Sequence, residues 1–298
     1  MNSTTETKSN VFKGLSLIDE TLDIKHLPDY SLLIQLGLDA LLCCILDHVR
    51  NKFIAFENYT FQGVHNYKIL CEKLQLLVKS DNLLSSCSRA KNVTLIWVNN
   101  KNTFIPNVLF DAGNKENYLK FNHTLEEDET VVIDNLKMLD AKNLYALPAC
   151  LDITLKSLYK SISIHHYSSS LVENLLSKHK NDSEKKLFVH VQADHLEVIV
   201  TEGKNLIFYN TFNYQTSEDF VYYVLFVTEQ LKLNPEKTEL TLLGEVEKDS
   251  AIYLTLYKYV RTIRFGERSE DFEYSYKLDQ LPPNFYYNLF SQSTLANY

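Results

Sequence analysis

Two aspartates, Asp39 and Asp194, occupy matching contexts, since Asp39-Ala40-Leu41 lines up with Asp194-His195-Leu196. Each sits in a tight turn between apolar stretches, where a carboxylate is a hard oxygen donor of the kind Mg²⁺ requires. Asp is also a common turn residue, because its side chain bonds nearby backbone. His165-His166 stands at a strand end, alternating in and out, with no third ligand close in sequence, so a structural role outweighs a metal site. His190 and His195 flank the second turn and either face a cleft or serve as solvated or hydrogen-bonded turn residues. The acidic run 126–129 reads as a solvated loop. Cys43 and Cys44 lack a helix N-terminus or basic neighbour that would activate a thiol. Tyr222-Tyr223 and Tyr286-Tyr287 are either interface anchors or packing residues in a chain with 19 Tyr and 16 Phe.

Composition narrows the chemistry. There are 7 glycines in 298 residues, well under the usual share of about 7%. Phosphate-cradling loops need glycine to bring backbone close to the ligand, so this chain has few chances to build one. The net charge of -8 disfavours nonspecific binding to nucleic acid or anionic lipid. The 5 cysteines are an odd number without metal spacing, which predicts free, mostly buried thiols in a reducing compartment. The polar N-terminus carries no apolar signal segment. The longest apolar runs, 41–46 and 220–227, fall far short of the roughly 18 residues of a membrane span. A cytoplasmic protein without membrane insertion is expected.

The elements that position these residues follow from periodicity. Residues 187–214 read as a three-stranded meander, with Leu196, Val198 and Val200 alternating as in a half-buried strand. Residues 32–61 repeat that pattern. A helix is predicted over 66–79, then a strand over 91–98. In the second copy, Thr216-Ser217-Glu218-Asp219 is a capping-box pattern that opens a helix over 216–232, ended by Pro235. A strand at 239–244, a helix at 249–259 and a strand at 260–265 complete the unit. Leu158-Tyr159-Lys160 matches Leu256-Tyr257-Lys258 at the equivalent point of the first copy. Each unit is thus three strands, helix, strand, helix, strand, giving two five-stranded mixed sheets.

The division expected is a disordered 1–11, a first half over 12–180 and a second half over 181–298. An irregular lead-in or short strand is expected at 15–28. The first half carries a small inserted subdomain, 99–147, with strands at 130–136 and 143–147 and a loop at 102–110. A linking helix at 168–179 and a C-terminal helix after Pro282-Pro283 finish the outline. The insertion is the expected place for family-specific binding.

This order resembles two tandem ribonuclease-H-like units in the arrangement of the actin-like ATPase superfamily, an α/β fold. The stretches YSLLIQLGLDALLCCILD, KNLIFYNTFNY and LTLLGEVEKDSAIYLTLYKYV resemble a Bacteroidota family of unknown function with this fold. The layout of the insertion is similar to that of the cell-division and pilus-assembly branch. The resemblance implies a nucleotide cleft between the halves, with a D-x-G pattern in each phosphate loop and a paired glycine near adenosine. Here Gln35-Leu36-Gly37 keeps the first glycine but replaces the acid with an amide. The second loop, His190-Val191-Gln192-Ala193-Asp194, lacks both acid and glycine at the matching positions, with Gln192 where the metal-binding aspartate is expected, and Gly244-Glu245 has a carboxylate for the second glycine. The cleft residues implied are therefore Gly37, Asp39, Gln192, Asp194 and Gly244, with degenerate loops, no catalytic residue assigned and neither ATP nor Mg²⁺ expected as a cofactor. Two readings follow: a non-catalytic scaffold that binds a protein partner, or an ATP-binding switch or slow ATPase in which the two turn aspartates hold the metal.

Overall fold

Alternation of apolar side chains builds two mixed sheets, and the polar turns set their register. The structure, a computed structural model, describes residues 10–87, 90, 92–234 and 236–291. Pro235 and residues 1–9 lie outside the described residues, so the expected disorder of 1–11 is described only from Asn10, and Val11 already opens a strand. The chain runs β1 (Val11–Ile18), β2 (Tyr30–Leu36), β3 (Ala40–Asp47), β4 (Lys52–Phe61), α1 (Tyr67–Ser80), α2 (Asn82–Cys87) and β5 (Asn92–Trp97). The insertion follows, with β6 (Asn102–Pro106), α3 (Lys115–Lys120), β7 (Glu129–Leu136) and β8 (Ala141–Pro148). Then come α4 (Ala149–Leu158), β9 (Ile162–His166) and α5 (Tyr167–His179). The rest is β10 (Lys185–Val191), β11 (His195–Glu202), β12 (Asn205–Asn213), α6 (Ser217–Gln230), β13 (Leu240–Gly244), α7 (Ala251–Leu256), β14 (Ile263–Phe265), β15 (Glu273–Tyr274) and α8 (Tyr287–Phe290).

The second sheet has the order β12-β11-β10-β13-β14, and the same order, β4-β3-β2-β5-β9, forms the middle of the first. In both, the three meander strands pair antiparallel and the last two join in parallel. The first sheet is wider than expected, because β1 and β15 share the outer edge of β4 and bring it to seven strands. The lead-in at 15–28 therefore begins as part of an eight-residue strand. Strand β6 also corrects the sequence reading: 102–106 is not loop but the edge of a sheet ordered β6-β8-β7.

Helix ends follow their caps. Asn66 accepts from Ile69 N–H at the start of α1, and Thr216 and Asp219 form the expected capping box of α6. Helices α4 and α7 end at Leu158 and Leu256, the matched pair. One face of the first sheet packs on α1 and α4 through Leu32, Ile34, Leu70, Leu74 and Leu151, with Cys43 on this side. The opposite face, with Cys44, packs on Tyr167 and the C-terminal residues Leu278, Leu289 and Phe290. The second sheet covers Leu171 and Leu175 of α5 and Tyr287 of α8. Helix α5 and the C-terminal segment thus form a layer between the sheets, and the chain after β14 returns to the first sheet rather than staying with the second.

The C-terminal helix spans Tyr287–Phe290, and Tyr286 directly before it adopts a left-handed φ of 53° that sets where it begins. Tyr286 and Tyr287 are buried, with the Tyr286 ring 4.6 Å from that of Phe56, so they are core residues. No helix among the described residues is long and apolar enough to cross a membrane.

Gly244 ends β13 with φ +91°, and a Cβ there would meet the carbonyl oxygen of Val191 at 2.3 Å. Its N–H donates to Asn284 O, and its carbonyl accepts from the Asn284 side chain at 2.8 Å. Gly244→Ala should therefore lower stability by at least about 1–3 kcal/mol in urea unfolding. An unchanged midpoint would show that the backbone relaxes there freely.

Candidate functional site

The turns after β2 and β10 are built alike. Gly37 N–H donates to Ala40 O at 2.9 Å, and Gln192 N–H donates to His195 O at 3.0 Å. Phe61 N–H bonds Asp39 O, as Tyr214 N–H bonds Asp194 O. These bonds place Gly37 over Gln192 and Asp39 over Asp194. The turns face one another across a cleft with two cavities, of about 340 Å³ and about 470 Å³. Gly37, Asp39 and Gln192 line the first with Gln35 and Glu245, and Asp194 joins Gly37 and Asp39 around the second. Gly244 stays behind the wall, held against Val191 and Asn284.

The cleft is acidic. Desolvation raises the Glu245 pKa, and the charge of Asp39 raises it further, against a hydrogen bond from Tyr286. Two basic residues line the cavities, and both are paired. Lys101 Nζ lies 2.7 Å from Glu129, and His195 donates from Nδ1 to Asp194 at 2.6 Å. The hydrogen bond from His195 holds the Asp194 pKa low. Gln35 Oε1 is buried without a hydrogen-bond partner. It is an amide acceptor in the place where the fold family would carry a carboxylate. Among the described residues no cluster of three His, Cys, Asp or Glu side chains is arranged to hold a metal ion. This donor set, three carboxylates with no unpaired cation in the lining, does not fit a triphosphate.

Behind the second turn lies a group that sequence reasoning passed over. Glu197, in the middle of β11, is fully buried. Tyr167 OH donates to its Oε1, His190 Nδ1 donates to its Oε2 at 2.7 Å, and His195 Nε2 lies 3.1 Å from Oε1. Burial would raise the Glu197 pKa, but the two histidines outweigh it and hold the pKa at about 2. Burial likewise opposes charge on His195, yet its hydrogen bond to Asp194 and the nearby Glu197 carboxylate lift its pKa to about 10. His190 and His195 are therefore buried partners of a carboxylate and not solvated turn residues.

A second buried network holds the root of the insertion. Asp134 accepts from Ser169 Oγ at 2.6 Å, from His166 N–H at 2.8 Å and from His165 Nδ1 at 3.0 Å. His166 donates from Nε2 to Asn99 O and accepts at Nδ1 from Ser168. Burial of this neutral ring lowers its pKa to about 3. Glu129 is not solvated either. It opens β7 fully enclosed, receiving Tyr67 OH at 2.9 Å and the Lys101 ammonium.

Two sheets of one strand order flanking a central helical layer, with paired turns across a cleft, define an actin-like ATPase fold. The structure is similar to a Bacteroides thetaiotaomicron VPI-5482 protein described as having an actin-like ATPase fold and unknown function. That pair is 23% identical over 82% of this chain and 93% of the other, with a TM-score of 0.73. It is also similar to a chain of a PilM–PilN type IV pilus biogenesis complex, at 12% identity over 88% and 97% of the two chains and a TM-score of 0.57. The chain belongs to the family described as protein of unknown function DUF3822, whose profile matches residues 19–263. No curated protein matches.

The buried histidines set opposite limbs of the stability profile. Between pH 6.5 and about 10 folded His195 keeps a proton that the unfolded chain has lost, so stability falls as pH rises. Between 6.5 and about 3 the unfolded chain protonates His166 while the fold does not, so stability falls as pH drops. Glu197 adds to the acid loss below its ordinary value of 4.5. Urea unfolding should peak near pH 6.5, with each group contributing a slope of at most about 1.4 kcal/mol per pH unit. His166→Gln should flatten the acid limb alone, whereas His195→Gln should remove the alkaline limb and also shrink the acid loss that Glu197 supplies, because His195 helps to hold the Glu197 pKa low.

Proposed function

We propose that this protein is a non-catalytic actin-like scaffold that engages a protein partner through its insertion, with the nucleotide cleft kept as architecture. One observation carries the reading. Val108, Leu109 and Phe121 of the insertion are 90%, 66% and 88% exposed. The Leu109 carbonyl accepts from Tyr118 OH at 2.7 Å, which brings the 107–109 turn against α3, the helix that Phe121 follows. Exposed large apolar side chains gathered on one small subdomain are the mark of a contact surface. The insertion also has its own core of Leu119, Val131, Leu144 and Ala146, so these three residues are surplus to its packing. The similar PilM–PilN structure is that of a protein complex, which agrees with a partner-binding role. The net charge of -8 favours a protein over nucleic acid. Five free cysteines agree with a cytoplasmic, reducing setting. The shared strand order and matched turns favour an internal duplication.

The non-catalytic part of the reading rests on the acidic lining and on Gly244. Gly244 is required by the Val191 carbonyl, whereas a Cβ on Gly37 would meet the exposed end of Asp39 at 3.0 Å, which can swing aside. Packing alone accounts for Gly244. The switch reading keeps one point in its favour, the open cavities beside Asp39 and Asp194.

Two measurements test the proposal. A thermal-shift titration with Mg-ATP should give no change, whereas ligand at about 100 times its dissociation constant would add about 2.7 kcal/mol. A shift abolished by Asp39→Ala or Asp194→Ala would establish the switch instead. Phe121→Asp and Leu109→Asp should leave stability within about 0.5 kcal/mol, as exposed substitutions do. They should also release a partner that the wild type retains in crosslinking capture, and equal capture by the variants would remove the insertion from the contact.

A further inference from the structure

Three passages of chain meet at the root of the insertion, and helix α1 touches two of them with one face. Tyr67 and Cys71 lie one turn apart on α1 and so share a face. Tyr67 OH donates to Glu129, where the chain opens β7. Cys71 Sγ donates to Cys150 Sγ at 3.4 Å, where β8 has just passed into α4 without a linker. Lys101, just before β6, closes the third passage on Glu129. The fastening is non-covalent throughout, yet it includes two sulfurs already in contact.

We propose that Cys71 and Cys150 form a dithiol that a peroxide oxidises to a disulfide, fastening the insertion to α1. The two sulfurs play different parts. Cys150 is partly exposed and Cys71 buried, so Cys150 is the sulfur that meets the oxidant. Its thiolate attacks one peroxide oxygen, the O–O bond breaks, and a sulfenic acid and hydroxide result. The Cys71 sulfur then attacks the Cys150 sulfur and expels the sulfenic oxygen as hydroxide, which takes the Cys71 proton and leaves as water. The sum is two thiols and one peroxide to one disulfide and two waters. Burial pushes the Cys71 thiol up to about 12, so it stays protonated until a sulfenic acid forms beside it. The sulfurs must close from 3.4 Å to about 2.05 Å. Cys43, Cys44 and Cys87 are buried, and among the described residues none of them shares a sulfur–sulfur hydrogen bond. They serve as internal controls. The bridge would close a loop across a sequence separation of 79, which contains the whole insertion. Its mechanical effect is on the insertion whatever that subdomain binds, so this proposal stands apart from the scaffold reading.

The test uses the full chain, reduced and then treated with hydrogen peroxide. After denaturation and alkylation, three thiols should be modified instead of five. A peptide joining Cys71 to Cys150 should appear by mass spectrometry, and dithiothreitol should restore all five. Cys71→Ser should leave Cys150 as a sulfenic acid that a dimedone probe traps, and Cys150→Ser should give neither product. Protease cleavage within 99–147 should slow in the oxidised wild type and recover on reduction. That wild-type comparison holds even if a variant fails to fold. Five modified thiols after peroxide, a bridge through another cysteine, or a sulfinic acid at Cys150 with Cys71 free would overturn the proposal. A bridge that leaves cleavage unchanged would overturn the fastening.

Discussion

The arrangement of the two halves depends on keeping one carboxylate charged where no water reaches it. Glu197 lies on the face of β11 that the central helical layer covers, and isolating such a charge costs several kcal/mol unless its oxygens are fully bonded. Its partners come from separate parts of the chain: Tyr167 from the first turn of α5, His190 from β10 and His195 from the turn facing the cleft. A shift of α5 relative to the second sheet would strip Tyr167 from the carboxylate. A shift of the second turn would remove the compensating charge of His195. The buried charge therefore makes the position of α5, and with it the approach of the two sheets, an all-or-none matter. Gln192 lies over Gly37 in the matched turns, so His190 rather than Gln192 takes the place of Gln35. Here that position is turned to holding the halves together.

The same logic governs the insertion. Asp134 on β7 binds the last residues of β9 and the first turn of α5 through His165, His166 and Ser169. Asn143 on β8 donates to Ser168 and Ser169. The neutral His166 ring then reaches Asn99 at the start of the insertion. On the second half, the Phe104 ring lies 4.9 Å from that of Tyr209. An insertion held by satisfied buried polar groups has a defined orientation, which a contact surface at Val108, Leu109 and Phe121 requires.

Strand order, turns and caps were legible in the sequence because each follows from local pattern. Thr216 to Asp219 named its own cap, and the two turns with Asp39 and Asp194 repeated the same polar break between apolar runs. The face of a strand that a second layer covers was not legible. Leu196, Val198 and Val200 alternate as in a strand with one wet face, which places Glu197 in solvent. In the fold α5 occupies that face, and β11 is buried on both sides. Glu129 was misread for a related reason: in a run of four acids nothing local distinguishes the one that meets Tyr67 and Lys101 across sequence separations of 62 and 28. Buried polar networks are assembled from long-range contacts, so their members carry no signal at short range.

That limit bears on how a retained motif residue is weighed. Gly244 matches the position where the resemblance expects a glycine beside adenosine, and by sequence it counts toward a nucleotide site. Its geometry gives a different cause: the Val191 carbonyl leaves no room for a Cβ, and Asn284 takes both backbone groups that could otherwise meet a ligand. A residue required by packing persists whether or not the ligand does, so its presence says nothing about the ligand. Gln35 and Glu245, which line the cleft, are freer of that ambiguity than His190, which the buried Glu197 requires. The informative positions are those where packing is indifferent, so the cleft-lining side chains of Gln35 and Glu245 weigh more than the retained glycine.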